Sequence, residues 1–273
     1  LRAAFEARRA VVRELRRAPS TGQRLDLVRA AGYLSGVLSY AALDLGHSDA
    51  AREHAATAQR CANYAGDREL AAWVRGTQSL IARFDKDYRT ALALAYDGLR
   101  IAGGGTSTPR LLAGVAQSAA NLGDRVTAHR ALNDAEEAIN QAGADAVPGL
   151  FTFTRTKLQY YAGSALMWLP QKADLLRAAR SAEAAIHHWR IGDPTQQSLD
   201  DEALAHVYAA TAYVQLRDID AASHALTPVL TLPETRRISW LRRRIGEITV
   251  LLDQPVFTGS QAAAELRSAA AAF

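Results

Sequence analysis

Aromatic, amide and hydroxyl side chains recur along this 273-residue chain at intervals of three, four and seven. Tyr33, Tyr40 and Asp44 make one such set, and Trp73, Leu80 and Arg83 a second. Gln117 and Asn121 make a third, Tyr160, Ser164 and Met167 a fourth, and Tyr208, Thr211 and Gln215 a fifth. On an α-helix those intervals put each set on one face. Side by side, the five faces would form an aromatic and amide-rich wall without a cluster of one charge. Amides can hold an extended backbone and aromatics can bury apolar groups, so such a wall suits a peptide or a mid-sized organic ligand. Taken singly, each aromatic also reads as a packing residue between neighbouring helices.

No pattern argues for catalysis, a metal or a cofactor. Among the seven histidines, His187 and His188 point in different directions on a helix and His47 and His54 straddle a turn. His206 falls on the buried side of its helix and reads as a satisfied core residue. Gly103 to Gly105 has no following Lys-Ser or Lys-Thr, so it is a loop and not a phosphate cradle. Cys61 is expected on a buried, Ala-rich helix, outside any nucleophile motif. Two strongly perturbed carboxylates in a closed pocket would be needed to revive an enzymatic reading.

The elements that must position the wall are marked by a small-residue pattern that returns five times about a tight turn. Leu38, Ser39 and Ala42 precede Gly46, and Ala51, Ala55 and Ala58 follow it. Val115, Ala116 and Ala119 precede Gly123-Asp124, and Ala128, Leu132 and Ala135 follow. Ala or Gly where a bulky side chain would normally sit means another helix pressed close, and its regular return describes stacked helical hairpins. The expected pairs are 23–45 with 48–65, 68–84 with 88–102, 111–122 with 126–142, 151–169 with 172–189, and 201–216 with 219–230. A lead-in helix over 1–17, broken at Pro19 to Gly22, precedes them. A divergent pair, 236–252 with 260–272, follows. Ser48 is expected to cap the second helix. Gly46, Lys86, Gly123, Ala173 and Arg217 are taken as equivalent turn positions, at intervals of 40, 37, 50 and 44.

Only three of the 32 basic residues are Lys, a bias that with the Ala richness suggests a GC-rich genome. The single cysteine forms no internal disulfide, which suits a reducing cytosol. Neither a signal peptide nor a membrane span is read, so a cytoplasmic location is expected. The chain begins at Leu1 and its only Met is Met167, so the native start is expected to lie upstream. The net charge of +4 concentrates at the ends: residues 1 to 29 hold eight Arg against three acids, and 236 to 244 hold five Arg. The run Arg236 to Arg244 could contact an anion or DNA phosphates. Its Ile238, Leu241 and Ile245 stripe favours a capping helix with Arg outward.

The spacings resemble the tetratricopeptide repeat. The matches are Leu38-Ser39, Ala42, Gly46, Ala51, Ala55 and Ala58; Asp87-Tyr88, Ala91 and Ala95; and Ala209-Ala210, Tyr213, Arg217-Asp218, Ala222 and Leu226. The fourth repeat departs most, at Pro170. The resemblance covers residues 23 to 232 and implies an all-α fold, a right-handed superhelix of antiparallel hairpins with five to six repeats. Residues 1–22 would be a lead-in helix and 233–273 divergent capping helices. On that alignment Tyr33, Tyr40, Asp44, Trp73, Arg83, Gln117, Asn121, Tyr160, Ser164, Tyr208 and Thr211 line the concave groove. The carboxylate clamp of chaperone-binding repeats is not matched, since Gly36 and Tyr40 stand at its first-repeat positions.

More narrowly, Tyr33 to Gly46 and Ala65 to Trp73 resemble the C-terminal repeat region of actinobacterial regulators with an N-terminal Cro/C1-type helix-turn-helix. That resemblance implies a ligand- or peptide-sensing, dimerising domain of a transcriptional regulator, with DNA bound only through a part outside this sequence. The alternative is a protein-interaction scaffold without a small ligand. Apolar stripes on the terminal helices, uncovered by the repeats, suggest a homodimer.

Overall fold

The computed structural model describes residues 2–17, 20–194 and 197–273. Among them there is no strand, and thirteen α-helices follow one another, each packed on its neighbours. They are α1 (Arg2–Leu15), α2 (Thr21–Asp44), α3 (Ser48–Ala65), α4 (Arg68–Phe84), α5 (Tyr88–Ile101), α6 (Ser107–Asn121) and α7 (Arg125–Gln141). Then come α8 (Arg155–Leu166), α9 (Lys172–Ile191), α10 (Leu199–Leu216), α11 (Ile219–Leu230), α12 (Ser239–Leu252) and α13 (Gln261–Ala271). Leu1, Pro19 and part of the Gly192 to Ser198 loop lie outside the described residues.

Four turns share one backbone solution. Gly46, Lys86, Gly123 and Arg217 all take positive φ, between 62° and 81°. The next residue's N–H reaches back to Ala42, Ala82, Ala119 and Tyr213 respectively, at 2.8–3.0 Å. Asp87, Asp124 and Asp218 then accept from the N–H three residues on, capping α5, α7 and α11. Each such cap is worth about 1 kcal/mol. Past Gly46 the pattern slips by one residue: His47 holds the cap position without a side-chain bond, and Ser48 is already helical. The fourth turn differs more. Ala173 lies inside α9, because α8 ends at Leu166 and Met167 to Gln171, with Pro170, make the connection.

The small residues sit where the hairpin arms meet. Ala51, Ala55, Ala58, Ala91, Ala95, Ala116, Ala128 and Ala222 are at most 1% exposed. Ser39 Oγ donates to the Ala51 carbonyl at 2.8 Å, and Ser79 Oγ makes the same bond to Ala91 at 2.7 Å. Such close backbone approach leaves no room for longer side chains.

Two regions depart from the expected elements. Phe151 to Leu169 is not one helix: a short 3₁₀ turn at Gly149–Phe151 and an extended stretch precede α8. That stretch folds inward, with the Phe151 ring against Trp73 and Tyr33 at centroid distances of 4.5 and 4.7 Å. Thr106 fixes it, accepting from the Phe153 N–H at 2.7 Å while donating to Asp145. The second departure is at the C-terminal pair. The α13 stripe of Ala263, Leu266 and Ala270 is buried against α11 and α12, so this stripe is covered within the chain. On α1 no residue is buried and Val12 stays exposed.

The last pair also returns to the first. Ser239 Oγ donates to the Leu43 carbonyl at 2.8 Å, across 196 positions of sequence. Trp240 meets the Phe84 ring edge-on at 4.8 Å, Arg243 lies over that ring, and Lys86 pairs with Glu247 at 3.3 Å. The even-numbered helices α2 to α12 therefore enclose a central space.

Candidate functional site

That space is a cavity of about 230 Å³. Its helical walls come from α2, α4, α6, α8, α10 and α12, with Tyr88 of α5 added, and the Leu150 to Phe153 stretch covers part of it. Tyr40 and Asp44 enter from α2, and Leu80 and Arg83 from α4. Gln117 and Asn121 enter from α6, Tyr160 and Ser164 from α8, and Tyr208 from α10. These are residues that the helical intervals single out, and the structure brings them together.

Tyr33, Trp73 and Thr211 are placed elsewhere. Phe151 has moved into the space that Tyr33 and Trp73 were expected to face, so those two line a smaller, separate cavity of about 150 Å³. Thr211 is 2% exposed and its hydroxyl is spent on the Val207 carbonyl of its own helix, at 2.8 Å. Met167 and Gln215 are joined to each other by a bond from the Gln215 amide to the Met167 carbonyl and do not line the main cavity.

The wall is far more charged than expected. Arg83, Arg110 and Arg244 are buried to within 6–9% exposure, and Lys157 stands beside them. Arg110 lies over the Trp73 ring at 4.7 Å and donates to the Trp73 carbonyl at 2.6 Å, to the Tyr40 hydroxyl at 2.9 Å and to Thr77 Oγ1 at 3.1 Å. Gly76 makes this course possible, since a Cβ there would stand 2.6 Å from Arg110 Nη1. Arg83 donates to Ser79 Oγ at 2.7 Å, and burial draws its pKa down. Lys157 donates to the Thr152 carbonyl at 2.9 Å, and burial lowers its pKa too, against the pull of Asp201. Among the described residues, no carboxylate lies within 4.0 Å of Arg83, Arg110 or Lys157.

Arg244 corrects the expectation that the arginines of 236 to 244 all face outward. It points inward between Trp168 and Trp240, at 5.4 and 5.3 Å, with Nη1 on Glu247 at 2.6 Å. Its neighbours are engaged within the chain: Arg236 with Asp200, Arg237 and Arg242 with the Phe273 carbonyl, Arg243 over Phe84. Nε of Arg244 and Oε1 of Gln117, on side chains that line the cavity, are buried and have no partner. Such groups are costly unless something joins them.

Acids gather on another part of the wall. Asp44 ends α2, while Asp200 and Asp201 lie in the first turn of α10. Burial pushes the Asp44 pKa up to about 7, and the charges of Asp200 and Asp201 add to the rise. Burial also raises Asp201, opposed by Lys157 and by its bond to Ser198. Tyrosines link the two regions. The Tyr160 and Tyr208 hydroxyls are 3.3 Å apart, and burial raises both pKa values.

Arg110, Lys157 and Asp201 were not singled out from the sequence, and Arg244 only as the end of the basic run from Arg236. Arg110 is seven residues before Gln117, and Asp201 seven before Tyr208, the interval that joins Tyr33 to Tyr40. Extending the same face by two turns finds both. Arg244 lies outside the repeats, and no local spacing points to it. No group of His, Cys, Asp and Glu among the described residues could hold a metal ion. His206 donates or accepts at both ring nitrogens, with the Ala225 carbonyl and Arg190, and takes no part in the cavity.

Compared with known protein families, with curated proteins and with solved structures, the chain matches none. No helix among the described residues is long and apolar enough to cross a membrane.

Proposed function

We propose that this chain is the ligand-sensing repeat domain of a transcriptional regulator, a tetratricopeptide-like superhelix whose DNA-reading part lies outside the sequence. The observation that supports the sensing role is the central cavity, whose wall buries the Arg83 and Arg110 guanidiniums with no carboxylate within 4.0 Å among the described residues. Buried guanidiniums without carboxylates cost several kcal/mol each, and a bound ligand can return that energy. The mechanism is population shift. A ligand touching α2, α4 and α12 together favours the closed arrangement over one in which α12 has parted from α2. The attached DNA-binding parts, paired through a homodimer, would read that change.

The test uses the full-length protein with its native N-terminus. Operator-type DNA should be bound there, and the affinity should change when a cavity ligand is added. Absence of any helix-turn-helix and of DNA binding sinks the regulator reading.

A second reading is favoured by one observation, the upward shift of both Asp44 and Asp201 in one cavity. Paired carboxylates of this kind can serve acid–base chemistry on a bound molecule. Under that reading a bound ligand is converted, and Asp44→Asn abolishes conversion while binding persists. Recovery of the ligand unchanged after long incubation rejects it.

A further inference from the structure

The cavity wall carries unpaired charge of both signs. Arg83, Arg110 and Arg244 are nine-tenths or more buried, and the first two have no carboxylate within 4.0 Å among the described residues. Asp44 has a raised pKa, held up by burial and by Asp200 and Asp201, and makes no ion pair among the described residues. Arg244 Nε lacks an acceptor and Gln117 Oε1 lacks a donor, though both atoms are sealed from the open space of the cavity. A monovalent anion would satisfy Arg83 and Arg110 and leave Asp44 unanswered; an amine alone would do the reverse.

The volume limits size. About 230 Å³ exceeds a benzene-sized hole of roughly 150 Å³ and falls short of the roughly 300 Å³ at which drug-sized sites begin. Something of about ten non-hydrogen atoms fits within it.

We propose that the cavity binds a small zwitterion, its anionic group on Arg83 and Arg110 and its protonated amine on Asp44. This rests on the reading of the cavity as a ligand site and names the chemistry of what fills it. Tyr40, Tyr160 and Tyr208 also line the cavity and offer aromatic faces for the connecting carbons. Each charged end contributes through buried, charge-assisted hydrogen bonds, so losing one costs roughly 10- to 100-fold in affinity.

Calorimetric titration of the intact chain with matched probes at up to about 10 mM tests this. The probes are 6-aminohexanoate and glycylglycine, then hexanoate and N-acetylglycylglycine, which lack the amine, and hexylamine and glycylglycinamide, which lack the carboxylate. A zwitterion should bind at least tenfold tighter than both of its truncated partners. Asp44→Asn should remove the preference over the amine-free probe, and Arg83→Gln the preference over the carboxylate-free one. Should Arg83→Gln fail to fold, the Asp44→Asn comparison still decides. If a truncated probe binds as well as its zwitterion, the proposal falls and the ligand cavity stands. If no probe binds, both fall.

Discussion

Asp44 is the residue whose protonation the fold controls most clearly. Its carboxyl is raised to about 7, so the folded chain keeps a proton that the unfolded chain gives up near pH 4. Folded stability is therefore greatest below about pH 4 on this group's account and declines as pH rises through about 7. Asp201 shifts the same way, and Lys157 opposes that shift. Urea melts between pH 4 and 8 should show a decline of roughly 2–4 kcal/mol that Asp44→Asn largely removes. Gly76 gives a steric test. Gly76→Ala pushes Arg110 off the Trp73 carbonyl, and thermal melts should show a loss of about 1–3 kcal/mol. At this scale the helical intervals revealed the wall residues Tyr40, Gln117, Tyr160 and Tyr208. They did not reveal that Arg110 and Lys157 stand without carboxylate partners. Spacing shows which face a side chain occupies, but pairing across helices depends on distances no single helix contains.

The hairpin turns show what local chemistry can dictate. Gly46 and Gly123 meet the left-handed backbone at no cost, whereas Lys86 and Arg217 adopt it against a penalty of roughly 1–2 kcal/mol. Lys86→Gly and Arg217→Gly should each raise stability by about 0.5–1 kcal/mol in denaturant titration, the gain reduced by the freer unfolded chain. Lys86→Gly also removes the pairing with Glu247, so its gain should be the smaller of the two. Turn residues and alanines made these hairpins readable because helix termination and close packing are decided within a few residues. The stretch before α8 was unreadable for the opposite reason. Phe151 looks like a helix residue by composition, yet its ring is captured by Trp73 of α4 and Tyr33 of α2, far back in the chain.

In the whole molecule, ring closure is the feature local patterns could not convey. A stack of hairpins predicts an open trough, and here α12 crosses back to α2 and α4 through Ser239, Trp240, Arg243 and Glu247. That junction is small beside the hairpin interfaces, so it is the first to part. Trp240→Ala should raise hydrogen-exchange rates at the C-terminal end of α2 and in α12, leaving α6 and α7 unchanged. Equal loss of protection throughout would mean that the chain opens as one unit instead. A repeat stack held only by neighbours would not show such a distant response.

The contact between Ser239 and Leu43 also has a meaning for a chain still being made on the ribosome. At roughly 5–20 residues per second, Leu43 waits on the order of ten seconds or more for its partner to emerge. Until then the nascent polypeptide can carry well-formed hairpins and yet possess no enclosed chamber. Prematurely terminated products would thus be orderly in their helices and blind to any effector.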